Sequence, residues 1–195
     1  MIKQIVLISS MLNFTCMFSC FAQNNYEKTD DFGRIIINTF IPEEIIDSPP
    51  VRNLLSNKLD QITTRYGIGG SNLFTRFIIT PKISVVSKDI TRTAPIMTAL
   101  NLSVTIFIGD GIDGTKFSNE NIELKGVGTN ETKAYINAIK QINTRNNRYE
   151  ELISKAKVKI IEYYNSRCDF ILKEAETLSN QREFSSAISN LFSIP

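Results

Sequence analysis

Histidine and tryptophan are absent from this 195-residue chain. Without histidine there is no Ser-His or Cys-His pair to activate a nucleophile, no usual proton shuttle and few routes to a zinc site. Catalysis would have to rest on carboxylates or lysine, so the composition favours a non-enzymatic protein. Cysteine is scarce as well. Of three, Cys16 and Cys20 lie in the first twenty residues and only Cys168 stands in the body of the chain. A lone thiol closes no internal disulfide, so packing must hold the fold. Cys168 falls on a helical apolar stripe and reads as a small buried hydrophobe, with a reactive or intermolecular thiol as the alternative. An excess of one charge sign is also missing: 22 basic against 20 acidic residues leave +2. No concentrated basic patch is present, so nucleic acid is not expected as a partner.

What is present starts at the N-terminus. Lys3 is the only charge in the first 22 residues. An apolar stretch runs to Phe18, Ser19-Cys20-Phe21-Ala22 follows, and the chain turns polar at Gln23. A charged start, an apolar middle and a small-residue exit make a secretory signal peptide. Cleavage after Ala22 fits the small residues Ala22 and Cys20. Lipidation at Cys20 is the second reading, although bulky Phe18 occupies a position where a lipobox carries a small residue. An uncleaved anchor is the third, but Asn13 interrupts a stretch already short for a spanning helix, and no later stretch is long and apolar enough.

Residues 23–33 read as a flexible lead-in and 34–145 as an α+β domain. Arg34–Phe40 is a β-branched run, expected as a buried strand. Ser48 before Pro49-Pro50 marks a helix start, and Val51, Leu55, Leu59, Ile62 and Tyr66 recur on one face until Gly67. Phe77, Ile79, Pro81, Ile83 and Val85 alternate with Arg76, Thr80, Lys82, Ser84 and Lys88, a strand with one solvated face. Pro81 lacks a donor, so this strand lies at an edge or carries a bulge. Leu102–Ile108 and Ile122–Leu124 alternate likewise, and short loops favour an antiparallel meander. A helix capped by Thr129 or Asn130 buries Ala134, Ala138, Ile139 and Ile142. The expected architecture is β-α-β-β-β-α, mostly antiparallel, with helices on one face. Residues 146–195 form a helical extension: one stripe from Tyr149 to Leu178, a break near Asn180, and a short helix carrying Phe184, Ala187, Ile188 and Leu191.

Three constellations invite a chemical reading. Gly126-Val-Gly-Thr-Asn-Glu131 sits between strand and helix, as phosphate loops do. Glu131 replaces the third glycine of a dinucleotide fingerprint and would repel phosphate, so a structural turn is expected. Asp110, Asp113 and Glu120 suggest a calcium loop, but Ile112 occupies the third ligand position and a hairpin tip fits better. Lys155, Lys157 and Lys159, with Arg145, Arg148, Arg167 and Lys173, alternate with Glu150, Glu151, Glu162, Glu174 and Glu176 as a solvated helix face. The alternating strands would also suit barrel-forming hairpins of an outer membrane. No residue is assigned as catalytic, cofactor-binding or metal-binding, and no cofactor is expected.

Gly126-x-Gly128 followed by Ala134-x-x-x-Ala138 resembles an element of bacterial envelope proteins of the LPP20 and CsgG/LpoB-like kind. That resemblance implies a non-catalytic interaction module, periplasmic or associated with the outer membrane. The Phe21-Ala-Gln23 exit and Asp31-Phe-Gly33 start are similar to exported Bacteroidetes proteins, a likeness that implies no particular activity. Ala175-x-x-Leu178 with Phe184, Ala187, Ile188, Leu191 and the closing Pro195 resembles a single tetratricopeptide repeat. One repeat cannot bury its apolar face alone. The hairpin either folds back on the core domain, docks Phe184, Ile188, Leu191 and Phe192 on a protein partner or a second copy, or marks the chain as a shortened form of a longer repeat protein.

The sequence therefore points to an exported, non-enzymatic interaction module of the cell envelope, periplasmic or outer-membrane-associated. The alternatives are an assembly or secretion component lipidated at Cys20, and a hydrolase built on Asp110, Asp113 or Glu131.

Overall fold

Alternation of period two and period 3.6 sorts the chain into one sheet and the helices that cover it. The computed structural model describes residues 35–70, 76–92 and 94–192, with the side chain of Phe192 outside that set. The signal segment, the lead-in, Cys20 and Pro195 lie outside the described residues.

The elements are β1 (Ile37–Thr39), a single 3-10 turn, α1 (Pro49–Arg65), β2 (Phe77–Ile90), β3 (Thr98–Asp110), β4 (Lys116–Gly128), α2 (Glu131–Lys140), α3 (Asn147–Asn180) and α4 (Phe184–Phe192). The sheet order is β1-β2-β3-β4. β1 runs parallel to β2, and the other pairs are antiparallel. This is the α+β arrangement anticipated from the pattern.

Helix α1 starts where Pro49 supplies a preset φ and ends at Gly67, whose φ of 70° suits a residue without Cβ. Ser48 stands at the N-cap, but its side chain makes no capping bond. Val51, Leu55, Leu59 and Ile62 are fully buried and share one core with Leu100, Leu102, Val104, Ile106 and Ile108 of β3. Each such side chain contributes about 1.5–3 kcal/mol by leaving water.

The glycine–alanine element has a packing cause. A Cβ on Gly126 would collide with the carbonyl oxygen of Ala134 and come within 2.8 Å of the Ala138 Cβ. A Cβ on Gly128 would strike the Ala134 amide nitrogen. Small residues on both elements therefore let α2 lie directly on β4. Asn130 caps α2, its side chain accepting from the Lys133 amide at 2.9 Å. From α1, the Lys58 ammonium donates to the Lys140 and Ile142 carbonyls, satisfying acceptors at the end of α2.

Two expectations for β2 are corrected. A bulge between Val85 and Ser87 reverses the alternation, because Lys88 lies opposite buried Leu100. Lys88 thus lies on the helix-covered side and pairs with Glu131 at 2.5 Å. Arg76, expected on a solvated face, has a side chain only 8% exposed. Pro81 sits beyond the last β1 partner, Ile79, so its missing donor leaves no ladder bond unmade.

Candidate functional site

The first half of α3 is built into the core through Tyr149, Leu152, Ile153, Ala156, Ile160 and Tyr164. Where α3 passes the end of the sheet, charge and aromatic rings hold it. Arg76, just before β2, donates from Nε to Asp110 Oδ2 and from Nη2 to Asp113 Oδ2, each at 2.5 Å. The Asp110 side chain is fully buried. Its other oxygen accepts from the Ile112 and Asp113 amides at 2.8 and 3.0 Å, which shapes the β3–β4 hairpin tip. From α3, the Tyr163 hydroxyl donates to Asp113 at 2.5 Å, and Arg167 donates to that hydroxyl at 2.7 Å.

The electrostatics follow from these contacts. The hydrogen bond from Tyr163 and the nearby Arg76 and Arg167 guanidiniums hold the Asp113 carboxyl below its ordinary value, outweighing partial burial. Burial would lower the Arg76 guanidinium, but Tyr164, Asp110 and Asp113 outweigh it and keep its pKa raised. Burial and the bond to Asp113 push the Tyr163 phenol up. Beside the cluster, Phe77 meets Tyr164 and Phe117 edge-on, with centroids 5.4 and 6.0 Å apart. All carboxylates and guanidiniums here are matched, so the cluster clamps α3 to the hairpin tip.

Beyond the clamp the character changes. Helix α3 ends in a Schellman motif: the Glu183 amide donates to the Leu178 carbonyl (2.9 Å) and the Arg182 amide to Ser179 (3.0 Å). Arg182 takes φ 64° at the position glycine usually fills. The chain reverses there, and α4 packs on α3 through Ala187 and Ala175, both buried. Phe184, Ile188 and Leu191, at i, i+4 and i+7, remain 58%, 44% and 47% exposed. With Leu172 on α3 they line a groove of ≈ 370 Å³, floored by Ala175 and Ala187 and edged by Glu176 and Ser179. This groove is the candidate site.

The fold is similar to three solved bacterial structures. A minor lipoprotein of Acinetobacter baumannii aligns over 67% of this chain and 88% of its own, at 14% identity and a TM-score of 0.32. A candidate lipoprotein of Caulobacter crescentus aligns over 66% and 85%, at 17% identity and a TM-score of 0.31. A Xanthomonas campestris protein of family DUF330 aligns over 68% and 87%, at 9% identity and a TM-score of 0.35. At these scores no function is carried across. No family model matches the chain, and no curated protein matches it in sequence.

The structure brings together Phe184, Ile188 and Leu191 on one exposed row. It adds Leu172, which the sequence hid because it flanks the buried stripe of α3. Asp110 and Asp113 converge on Arg76. Glu131 begins α2, next to the strand end that pairs with Thr98, the opposite end of β3 from Asp110. The three carboxylates therefore share no pocket. Glu120 lies instead 3.5 Å from Arg148. Among the described residues, no three His, Cys, Asp or Glu side chains group as metal ligands. Cys168 is half-buried rather than fully buried. In the glycine-rich turn before α2, the Asn130 side chain takes the Lys133 amide and Glu131 pairs with Lys88.

Proposed function

We propose that the chain is an exported, non-catalytic module of the cell envelope that acts by protein–protein contact, with the α3–α4 groove as its docking surface. The observation that carries this reading is an apolar row left open on a helix with no charged residue, Phe184–Phe192. Monomeric soluble proteins leave few contiguous apolar patches uncovered, and those they leave are often interaction sites. The rest of the fold supports a scaffold role. The titratable groups of the clamp are paired structurally, and the clamp anchors α3 to the β3–β4 hairpin tip before the docking hairpin begins. The signal-like N-terminus supports an address beyond the inner membrane, and the likeness of the glycine–alanine element to envelope modules agrees with it.

A photo-crosslinking side chain placed at Ile188 or Leu191 in the full chain, expressed in an exporting cell, tests this. The expected result is a discrete protein adduct from α4 that is absent when the same probe replaces exposed Glu123 on the open sheet face. Equal labelling from both faces, or none from α4, would overturn the docking role. Osmotic-shock fractionation of the same cells tests the location, and retention in the cytoplasm would refute export.

A further inference from the structure

We infer that the occupant of the α3–α4 groove is a second copy of this chain, joined through α4 about a two-fold axis. The inference rests on the docking reading above and names its partner.

The first argument is charge. An isologous contact sets the same patch against itself, with residues on the axis facing their own twins, so like charges in the patch would repel. Helix α4 carries no charge, and Glu176 at the rim is the only charged group lining the groove. The second argument is fit. The groove accepts a short helix bearing apolar residues at i, i+4 and i+7, and α4 is such a helix. An antiparallel pair sets Phe184 against the second copy's Leu191 and Ile188 against the second copy's Ile188 on the axis. The third argument is area. Leu172, Phe184, Ile188 and Leu191 are each about half exposed, which amounts to roughly 400 Å² of apolar surface per copy. The core of an interface is about 65% apolar, so the footprint is roughly 600 Å² per copy and about 1,200 Å² in total. That lies just above the ~1,000 Å² that a specific interface should clear.

The test is sedimentation velocity on the full exported chain across a micromolar to submillimolar series, with Ile188→Glu, Ile188→Lys and Leu172→Glu. Wild type is expected to dimerise. Each charged variant is expected to weaken dimerisation by about 100-fold or more while keeping its far-UV circular dichroism. Ile188→Glu mixed with Ile188→Lys is expected to recover the dimer, because opposite charges then meet on the axis. A wild type that stays monomeric throughout, or a dimer indifferent to all three variants, overturns the inference. So does a mixture that fails to recover. If the wild type is monomeric while probes at Ile188 still capture a different protein, self-association falls and the docking reading survives. If both fail, both are wrong.

Discussion

Replacing Arg76 with alanine should be among the most damaging single changes at the clamp. The substitution leaves the Asp110 carboxylate, whose side chain has no exposed surface, without its guanidinium. Two backbone amides still serve Oδ1, but Oδ2 loses the Nε donor at 2.5 Å. Removing one partner of a buried pair costs about 3–5 kcal/mol, because the other charge stays buried without compensation. The loss at Asp113 adds little, since that side chain is 32% exposed and keeps Tyr163 and Arg167. Against a domain stability of about 5–15 kcal/mol, this should lower the melting temperature by on the order of 10 °C. The double variant Arg76→Met with Asp110→Asn removes both charges and should lose far less than the two single losses combined. Guanidinium unfolding followed by circular dichroism, with midpoint and slope fitted together, reads Arg76→Ala and the four corners of the cycle: wild type, Arg76→Met, Asp110→Asn and the double variant. A loss under about 1 kcal/mol for Arg76→Ala, or purely additive behaviour in the double variant, would refute the argument.

Gly126→Ala should destabilise by about 3 kcal/mol or more, since the added methyl meets the α2 backbone rather than a flexible side chain; a neutral melting curve would show that α2 can lift off β4. Arg182→Gly should stabilise by about 1 kcal/mol, because glycine accepts φ 64° without strain, and a lower melting temperature would count against the Schellman assignment. Acid should loosen the clamp through Asp113. Its folded pKa lies below the ordinary 3.8, so its stabilisation is complete above that value and disappears as pH falls further. Asp113→Asn should flatten the stability–pH curve below about pH 4, and an unchanged slope would exclude this carboxyl as the source.

Local chemistry made much of the fold legible. Pro49 and Gly67 bracket α1, Asn130 opens α2, and the alternation Leu102–Ile108 announces β3. The failures have a common cause, which is that the deciding partner is distant in sequence. Arg76 looked solvated because its neighbours alternate, and only the pairing of β2 with β3 brings Asp110, 34 positions away, within reach. Pro81 announces an edge or a bulge in β2 but not its position, and the register shift between Val85 and Ser87 carries Lys88 to the other face. Arg182 occupies a left-handed cap without glycine, so the turn between α3 and α4 could be placed only near Asn180. At the candidate site, the row Phe184, Ile188 and Leu191 was legible from spacing alone. Its facing wall at Leu172 was not, since exposure on the flank of a long apolar stripe depends on where α4 happens to lie.

Length explains why that wall stays open. At 1.5 Å per residue, the 34 residues of α3 reach about 51 Å. Its core-packed portion, Tyr149 to Ile171, takes up about two thirds of that. Past the clamp at Tyr163 and Arg167, Ile171 is the last α3 side chain of the main core; beyond it Ala175 is buried beside α4, which is nine residues long, about 13 Å. A helix that short is marginal in water, so contact with α3 must hold it. Yet close approach at Ala175 and Ala187 buries small side chains and leaves the large ones outside. The hairpin is therefore positioned by strong, buried chemistry at its base and finished by weak packing at its tip. Covering the tip with another apolar helix would stabilise α4 and the groove together, so occupancy should protect the α4 amides from hydrogen exchange far more than those of the already buried α2.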